Sequence, residues 1–200
     1  MAILFNDTVP VSNSHPCLED ALQVLESGGL ILYPTDTIWA IGCDATNAAA
    51  IQRIYELKQR STHQPLISLV GSMQMLRKFV PNLHPRLETL LHFHFRPLTL
   101  VYDQVEGLPL QSRAQDGSVA FRIPQDNFCR ELVNRYGKPI IATAAHVQHE
   151  RIPQNFGEIS STILEGVDLV IKYRQKDRHI GEPSVIARLS VREELEFIRE

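Results

Sequence analysis

Cysteine is scarce in this sequence: Cys17, Cys43 and Cys129 are an odd number at wide spacing, and no two form a CxxC pair. That arithmetic excludes a disulfide framework and a cysteine-rich zinc cluster, and the expectation is buried thiols in a reducing compartment. A strong charge of either sign is also missing. With 20 Lys+Arg against 23 Asp+Glu the formal net charge is −3, which excludes a globally basic surface for nucleic acid but not a local basic cleft. No apolar run approaches the ~20 residues needed to span a bilayer. The N-terminal MAILFNDTVPVSNSH lacks a basic segment followed by a long apolar one, so no membrane association and a cytoplasmic location are expected. Internal repeats and low-complexity linkers are absent as well.

What remains suits one folded unit. A chain of 200 residues with 44% hydrophobic and 22% charged content can bury a sizeable core, and a single domain over 1–200 is the expectation. The stretch 103–117 reads as a loop too short for a domain boundary. CLEDALQVLESGG, just after Ser14 and Pro16, stops at Gly28 and has helical punctuation. ATNAAAIQRIYELKQR is an amphipathic helix with its cap expected at Thr46 and with Lys58 and Arg60 closing it. Asp126 and Gly137 bracket a further helix. Residues 30–33, 66–70, 98–102, 118–123, 139–143, 168–171, 184–189 and 195–198 are short β-rich runs bounded by turn signals. Strands interleaved with about five helices predict an α/β fold on a twisted mixed sheet.

Within that pattern LYPTDTIWAIGCDA, residues 32–45, is unusual: an apolar strand breaks at Pro34 for two threonines flanking an aspartate, then resumes at Ile38. Thr35, Asp36 and Thr37 at a strand end offer hydroxyls, a carboxylate and backbone amides to a ligand. The same residues also suit a plain turn that satisfies its own backbone. Lys58 and Arg60 fit either an oxyanion clamp or the favourable pairing of cations with a helix C-terminus. Ser118 and Arg122, four apart on one strand, point to the same face.

LYPTDTIWAIGCDA followed by YELKQRSTHQPLISLV resembles the YrdC-like family, the threonylcarbamoyl-AMP synthases, whose pattern is a PTDT or PTET turn, a KxR segment, then PL and an apolar strand. RPLTLVYD, SVAFRIP and GEPSVIARL resemble the family's later segments, in order, so the likeness covers about 20–190. It implies a single twisted α/β sheet around a concave, positively lined cavity. It also implies condensation of L-threonine, bicarbonate and ATP, with magnesium, into threonylcarbamoyl-adenylate and pyrophosphate, an intermediate in tRNA modification. Some members are associated with double-stranded RNA. On this mapping Thr35, Arg122 and Ser184 bind the amino acid, with Arg122 on its carboxylate or carbamate. Lys58 and Arg60 hold ATP phosphates, and Ser118, Thr143, Ala144 and His146 stand at nucleotide-side positions. No catalytic base is assigned and no structural metal is expected. The C-terminal domain of some relatives is not expected either, since the chain ends soon after the last matched strand.

The sequence departs from the family at one place that bears on activity. Where the family usually has STSAN or PSAN followed by [IL]SG, this chain has ATAAHVQHE, residues 142–150. Ala144 replaces a serine, His146 an asparagine, and Gln148 and His149 an SG pair; Ala40 replaces a glycine after the PTDT segment. Each lost hydrogen bond to a buried ligand costs about 1 to 3 kcal/mol. Two functions therefore stand: a synthase, weakened at the nucleotide, and a paralogue without adenylation that binds nucleotide or double-stranded RNA. His92 and His94 in LHFHFRP would share a face if extended, without a third metal ligand at supporting spacing. KYRQKDRH, 172–179, is a basic run that suits RNA phosphate or a solvated loop, the loop being favoured; EFIRE reads as an edge strand or fraying tail, and Trp39 as core or as the wall of a nucleotide cavity.

Overall fold

Strand β1 (Ile31–Tyr33) stops at Pro34, which has no N–H for a ladder, and the chain returns antiparallel as β2 (Ala40–Gly42), with Tyr33 opposite Ala40. Residues 34–39 are thus a hairpin loop at one end of the sheet. The computed structural model describes residues 15, 17–62, 64–178 and 181–200. Further strands are β3 (Ile67–Leu69), β4 (Leu98–Tyr102), β5 (Val119–Arg122), β6 (Ile140–Ala144), β7 (Leu169–Val170), β8 (Val185–Leu189) and β9 (Leu195–Arg199). Helices are α1 (Leu18–Glu26), α2 (Ala48–Leu57), α3 (Met73–Phe79), α4 (Pro85–Phe93), α5 (Asn127–Tyr136) and α6 (Ser161–Gly166).

The nine strands form one mixed sheet in the order β7-β1-β2-β6-β3-β5-β4-β8-β9. β1 with β7, β3 with β5 and β4 with β8 are parallel; the remaining neighbours are antiparallel. The α/β expectation holds, with six helices among the described residues. The apolar strand residues explain why: Ile31, Leu32, Ile41, Leu69, Leu100, Phe121 and Ile141 are all buried, and the inner strands are covered by Leu18 and Leu25 of α1, Ile51 and Ile54 of α2, and Phe128 and Leu132 of α5. No helix among the described residues is long and apolar enough to cross a membrane.

Local punctuation is partly as expected. Asp126 caps α5 by accepting from the Cys129 amide, and Gly137 closes that helix at φ +76, where a Cβ would be strained. Thr46, however, is not the cap of α2. Asn47 is, because its side chain accepts from the Ala49 and Ala50 amides, while the Thr46 hydroxyl and amide are bound to Asp44. Lys58 is the residue after the helix rather than part of its last turn, and Arg60 lies beyond a left-handed Gln59. His92 and His94 do not alternate on a strand: His92 lies in the last turn of α4 and His94 is the extended residue just after it. The basic loop is not simply solvated, since Arg174 is packed against Asp126 and Asp177. Ser14, Pro16 and His179 lie outside the described residues. β9 is the edge strand expected of the C-terminal run, exposed along its length.

Candidate active site

One sheet face builds the floor of a cavity of about 260 Å³. Opposed residues in a ladder point to the same side, so the register identifies that face. Ala40 on β2 faces Ala144 on β6, and Ala142 two residues earlier faces Ile67 on β3. A second row runs Arg122 (β5), Thr99 (β4), Ile186 (β8), Arg199 (β9). Methyl groups thus pave one half of the floor, and two guanidiniums stand in the other. The hairpin loop supplies Thr35, Thr37 and Ile38 to the wall, the segment after α2 supplies Arg60, Pro65 and Leu66, and the approach to β8 supplies Pro183 and Ser184. Thr143 and His146 complete it. Among the described residues no carboxylate lines the cavity.

The hairpin loop is buried and tightly bonded. Thr35 Oγ1 accepts from the Thr37 and Ile38 amides and donates to the Ile38 carbonyl. Its hydroxyl also lies 2.8 Å from that of Thr37, a contact in which either can donate, so its one proton is spent inside the turn. Thr37 Oγ1 in turn accepts from Arg122 Nη1 at 2.9 Å. Asp36 turns away from the cavity, accepting the Gln125 amide and ion-pairing with Arg122 Nη2 at 3.3 Å, with both side chains under a tenth exposed. Arg122 Nε is buried without a partner. The loop is at once the self-satisfied turn and the cavity wall: the two readings describe one arrangement. Gly181 packs on its outer side, where a Cβ would fall 1.3 Å from the Thr37 carbonyl oxygen.

Lys58 is almost wholly buried and is not among the residues that line the cavity. Its ammonium donates to the carbonyls of Ala144 and His146, the second at 2.6 Å. The Gln148 amide donates back to the Lys58 carbonyl at 2.8 Å, and Gln148 Oε1 accepts from Ser61. The KxR segment and the 144–148 segment are therefore clasped together. Burial, then the neighbouring Arg60, lowers the Lys58 pKa to about 7. Arg60 does line the cavity. It donates to the Pro65 carbonyl, its Nε is buried without a partner, and burial pulls its pKa down. Burial first, then Lys58 and Arg60, lowers the His146 pKa to about 4, so this imidazole is neutral near pH 7 and offers a dipole rather than a charge.

Ser184 is buried at the wall, its hydroxyl 2.7 Å from that of Thr99. Arg199 donates to the Ser184 carbonyl through Nε and Nη2. Sequence reasoning assigned no role to Arg199, whose place in the site becomes legible only once β9 is known to pair with β8, with Arg199 opposite Ile186. Of the residues expected in the site, Thr35, Arg60, Arg122, Thr143, Ala144, His146 and Ser184 converge on the cavity. Lys58 stands behind its wall. Ser118 lies outside: it shares the face of Arg122, but four residues at ~3.3 Å each carry it about 13 Å down the strand. There its hydroxyl and amide bind Asp116.

A cavity with this lining is chemically suited to an anion. Arg60, Arg122 and Arg199 supply planar donors, and the low-polarity floor strengthens each contact. The donor set does not fit a protein-held magnesium ion, because the lining offers no carboxylate and no group of three metal-binding side chains occurs among the described residues.

Comparison with known proteins places this architecture. The family model for Sua5, YciO and YrdC proteins, described as "Telomere recombination", matches residues 23–200. A threonylcarbamoyl-AMP synthase of Vibrio campbellii is 28% identical over 158 residues, covering 74% of this chain and 85% of that one. E. coli YciO superposes with a TM-score of 0.79 at 20% identity, over 94% of this chain and 91% of its own. P. abyssi Sua5 complexed with L-threonine superposes with a TM-score of 0.76 at 24% identity, over 86% of this chain and half (50%) of its own.

Proposed function

The chain belongs to the Sua5/YciO/YrdC family, and on that premise we propose that it is an ATP-dependent L-threonylcarbamoyladenylate synthase with a weakened grip on the nucleotide, acting in tRNA modification. The convergence of Arg60, Arg122 and Arg199 on a cavity without a lining carboxylate carries this reading. The relatives named as threonylcarbamoyl-AMP synthases support it, as does the L-threonine bound by P. abyssi Sua5, a protein of the same fold.

In this reading the threonine carboxylate lies near Arg122 and Arg199, beside Ser184 and the threonine-rich loop. Phosphates lie toward Arg60. Bicarbonate and the threonine amine give a carbamate, the new C–N bond replacing a C–O bond with loss of water; a carbamate oxygen then attacks the α-phosphorus in line, and the bond to the pyrophosphate oxygen breaks. Such a transfer needs positioning and charge neutralisation more than a base. Magnesium would arrive on the ATP phosphates as part of the substrate. The Thr35 hydroxyl is spent within its own turn, so Thr35 serves by shaping the wall.

A second reading has its own observation. At 142–146 the wall presents a nucleotide with the methyls of Ala142 and Ala144 and a neutral imidazole, which suits a binder of nucleotide or double-stranded RNA that does not adenylate. Incubation of the pure protein with ATP, L-threonine and bicarbonate separates the two. Threonine-dependent pyrophosphate and the adenylate are expected; ATP binding without either product would establish the second reading.

A further inference from the structure

The loop that walls the cavity is braced from behind by a residue of the basic run. Arg174, in the segment after β7, has φ +56, a left-handed backbone that disfavours any residue with a Cβ. Strain of this kind persists where surrounding contacts over-determine it. Here they do. Arg174 Nε donates to Asp177 at 2.7 Å, and Nη1 reaches Asp126 at 3.4 Å and the Thr35 carbonyl at 3.2 Å. Asp126 is itself fixed, since its other oxygen caps α5. Two more contacts tie the loop to that helix start: the Gln125 amide to Asp36, and Cys129 Sγ to the Pro34 carbonyl.

We propose that Arg174 is a positioning residue for amino-acid binding, holding the Thr35–Asp36 peptide so that Asp36 meets Arg122 and the Arg122 guanidinium presents its remaining donor to the cavity. The Thr35 carbonyl belongs to the peptide that leads into Asp36, so fixing it sets the direction of that carboxylate. The carboxylate sets Arg122. The guanidinium does not line the cavity with Arg60, Arg122 and Arg199, so it acts through the loop and not on the ligand. The inference rests on reading the cavity as an amino-acid site.

Arg174→Gly removes the guanidinium and relieves the left-handed backbone; Arg174→Lys keeps one cationic donor. Hydrogen exchange at the Thr37 and Ile38 amides, both bonded to Thr35 Oγ1, reads the loop without any ligand. Calorimetry with L-threonine and with pyrophosphate reads the two ends of the cavity. In Arg174→Gly, exchange at both amides should rise and L-threonine should bind about tenfold more weakly, as for loss of one well-placed contact. Pyrophosphate should bind as in the wild type, and Arg174→Lys should recover part of the threonine affinity. Unchanged exchange overturns the proposal, and so does an equal loss of both ligands with faster exchange across the whole sheet. If the wild type binds no L-threonine, the proposed function fails. The exchange result then decides alone whether Arg174 holds the loop.

Discussion

Ala40 on β2 and Ala144 on β6 are register partners on the cavity floor, and they are two of the positions at which this chain departs from its family's sequence pattern. A methyl replaces a hydrogen at 40 where a methyl replaces a hydroxymethyl at 144. The two changes meet on one face of one ladder, so the floor exchanges volume between neighbouring strands while losing one hydroxyl.

That pairing sharpens a reversion experiment. Ala144→Ser with His146→Asn should raise ATP affinity or turnover about tenfold or more, if each restored contact is worth the ~1 kcal/mol lower estimate and the two add. Adding Ala40→Gly should raise it further, since neighbours that share space are non-additive. Wild-type adenylation as fast as that of a relative with the serine and asparagine would refute the weakened-grip reading, and would make His146 a working ligand.

The two cations of the KxR segment should separate by assay. Arg60→Ala should weaken pyrophosphate or ATP binding about tenfold while moving stability by less than about 0.5 kcal/mol. Lys58→Met should instead leave the Ala144 and His146 carbonyls short of a donor and lower the unfolding free energy by about 1 to 3 kcal/mol. Urea unfolding and calorimetry on both variants check this; the opposite assignment of effects would place Lys58 on the phosphate.

The difference between Lys58 and Arg60 shows what the sequence holds and what it does not. Alternating apolar runs with turn punctuation make the α/β sheet legible, because burial period and breaker residues are local properties. The cavity membership of Arg60, Arg122 and Ser184 is legible through motif order. Lys58 pointing into the 144–148 segment is not, since it depends on the end of α2 meeting the end of β6, far apart in sequence. Arg199 is hidden for the same reason, and so is the use of the Thr35 proton, which hydrogen-bond geometry alone decides. α3 and α6 escape because seven and six residues make fewer than two turns; α4, as long as α1, escapes because its end falls in the LHFHF run, whose alternation reads as extended.

Stability should depend on pH in two windows that the clasp predicts. His146 has a folded pKa near 4 against ~6.5 unfolded, so the unfolded state holds more protons between those values and stability rises with pH across them. Lys58, near 7 folded against ~10.4 unfolded, makes stability rise again from about pH 7. Burial raises the Cys43 and Cys129 pKa values, which opposes this above ~8.5, so pH 7 to 8.5 is the clean interval. Burial also lowers the His94 pKa, so urea titrations should show His146→Asn reducing the first slope without abolishing it and Lys58→Met flattening the second. A first slope untouched by His146→Asn, or a second untouched by Lys58→Met, would assign that dependence elsewhere.

The buried pair of Arg122 and Asp36 allows structure and binding to be uncoupled. Arg122→Met strands the Asp36 carboxylate with one amide partner in a buried site, and should cost about 3 to 5 kcal/mol. Asp36→Asn in that background removes the uncompensated charge while its amide oxygen still accepts from Gln125, so most of that loss should return. L-Threonine binding should not return, because the guanidinium is gone in both variants. Thermal or urea unfolding follows the first quantity and calorimetry the second. Recovery of stability without recovery of binding is the expected result. If the double variant binds L-threonine as the wild type does, Arg122 serves only to hold the loop, and the carboxylate must be taken by Arg199.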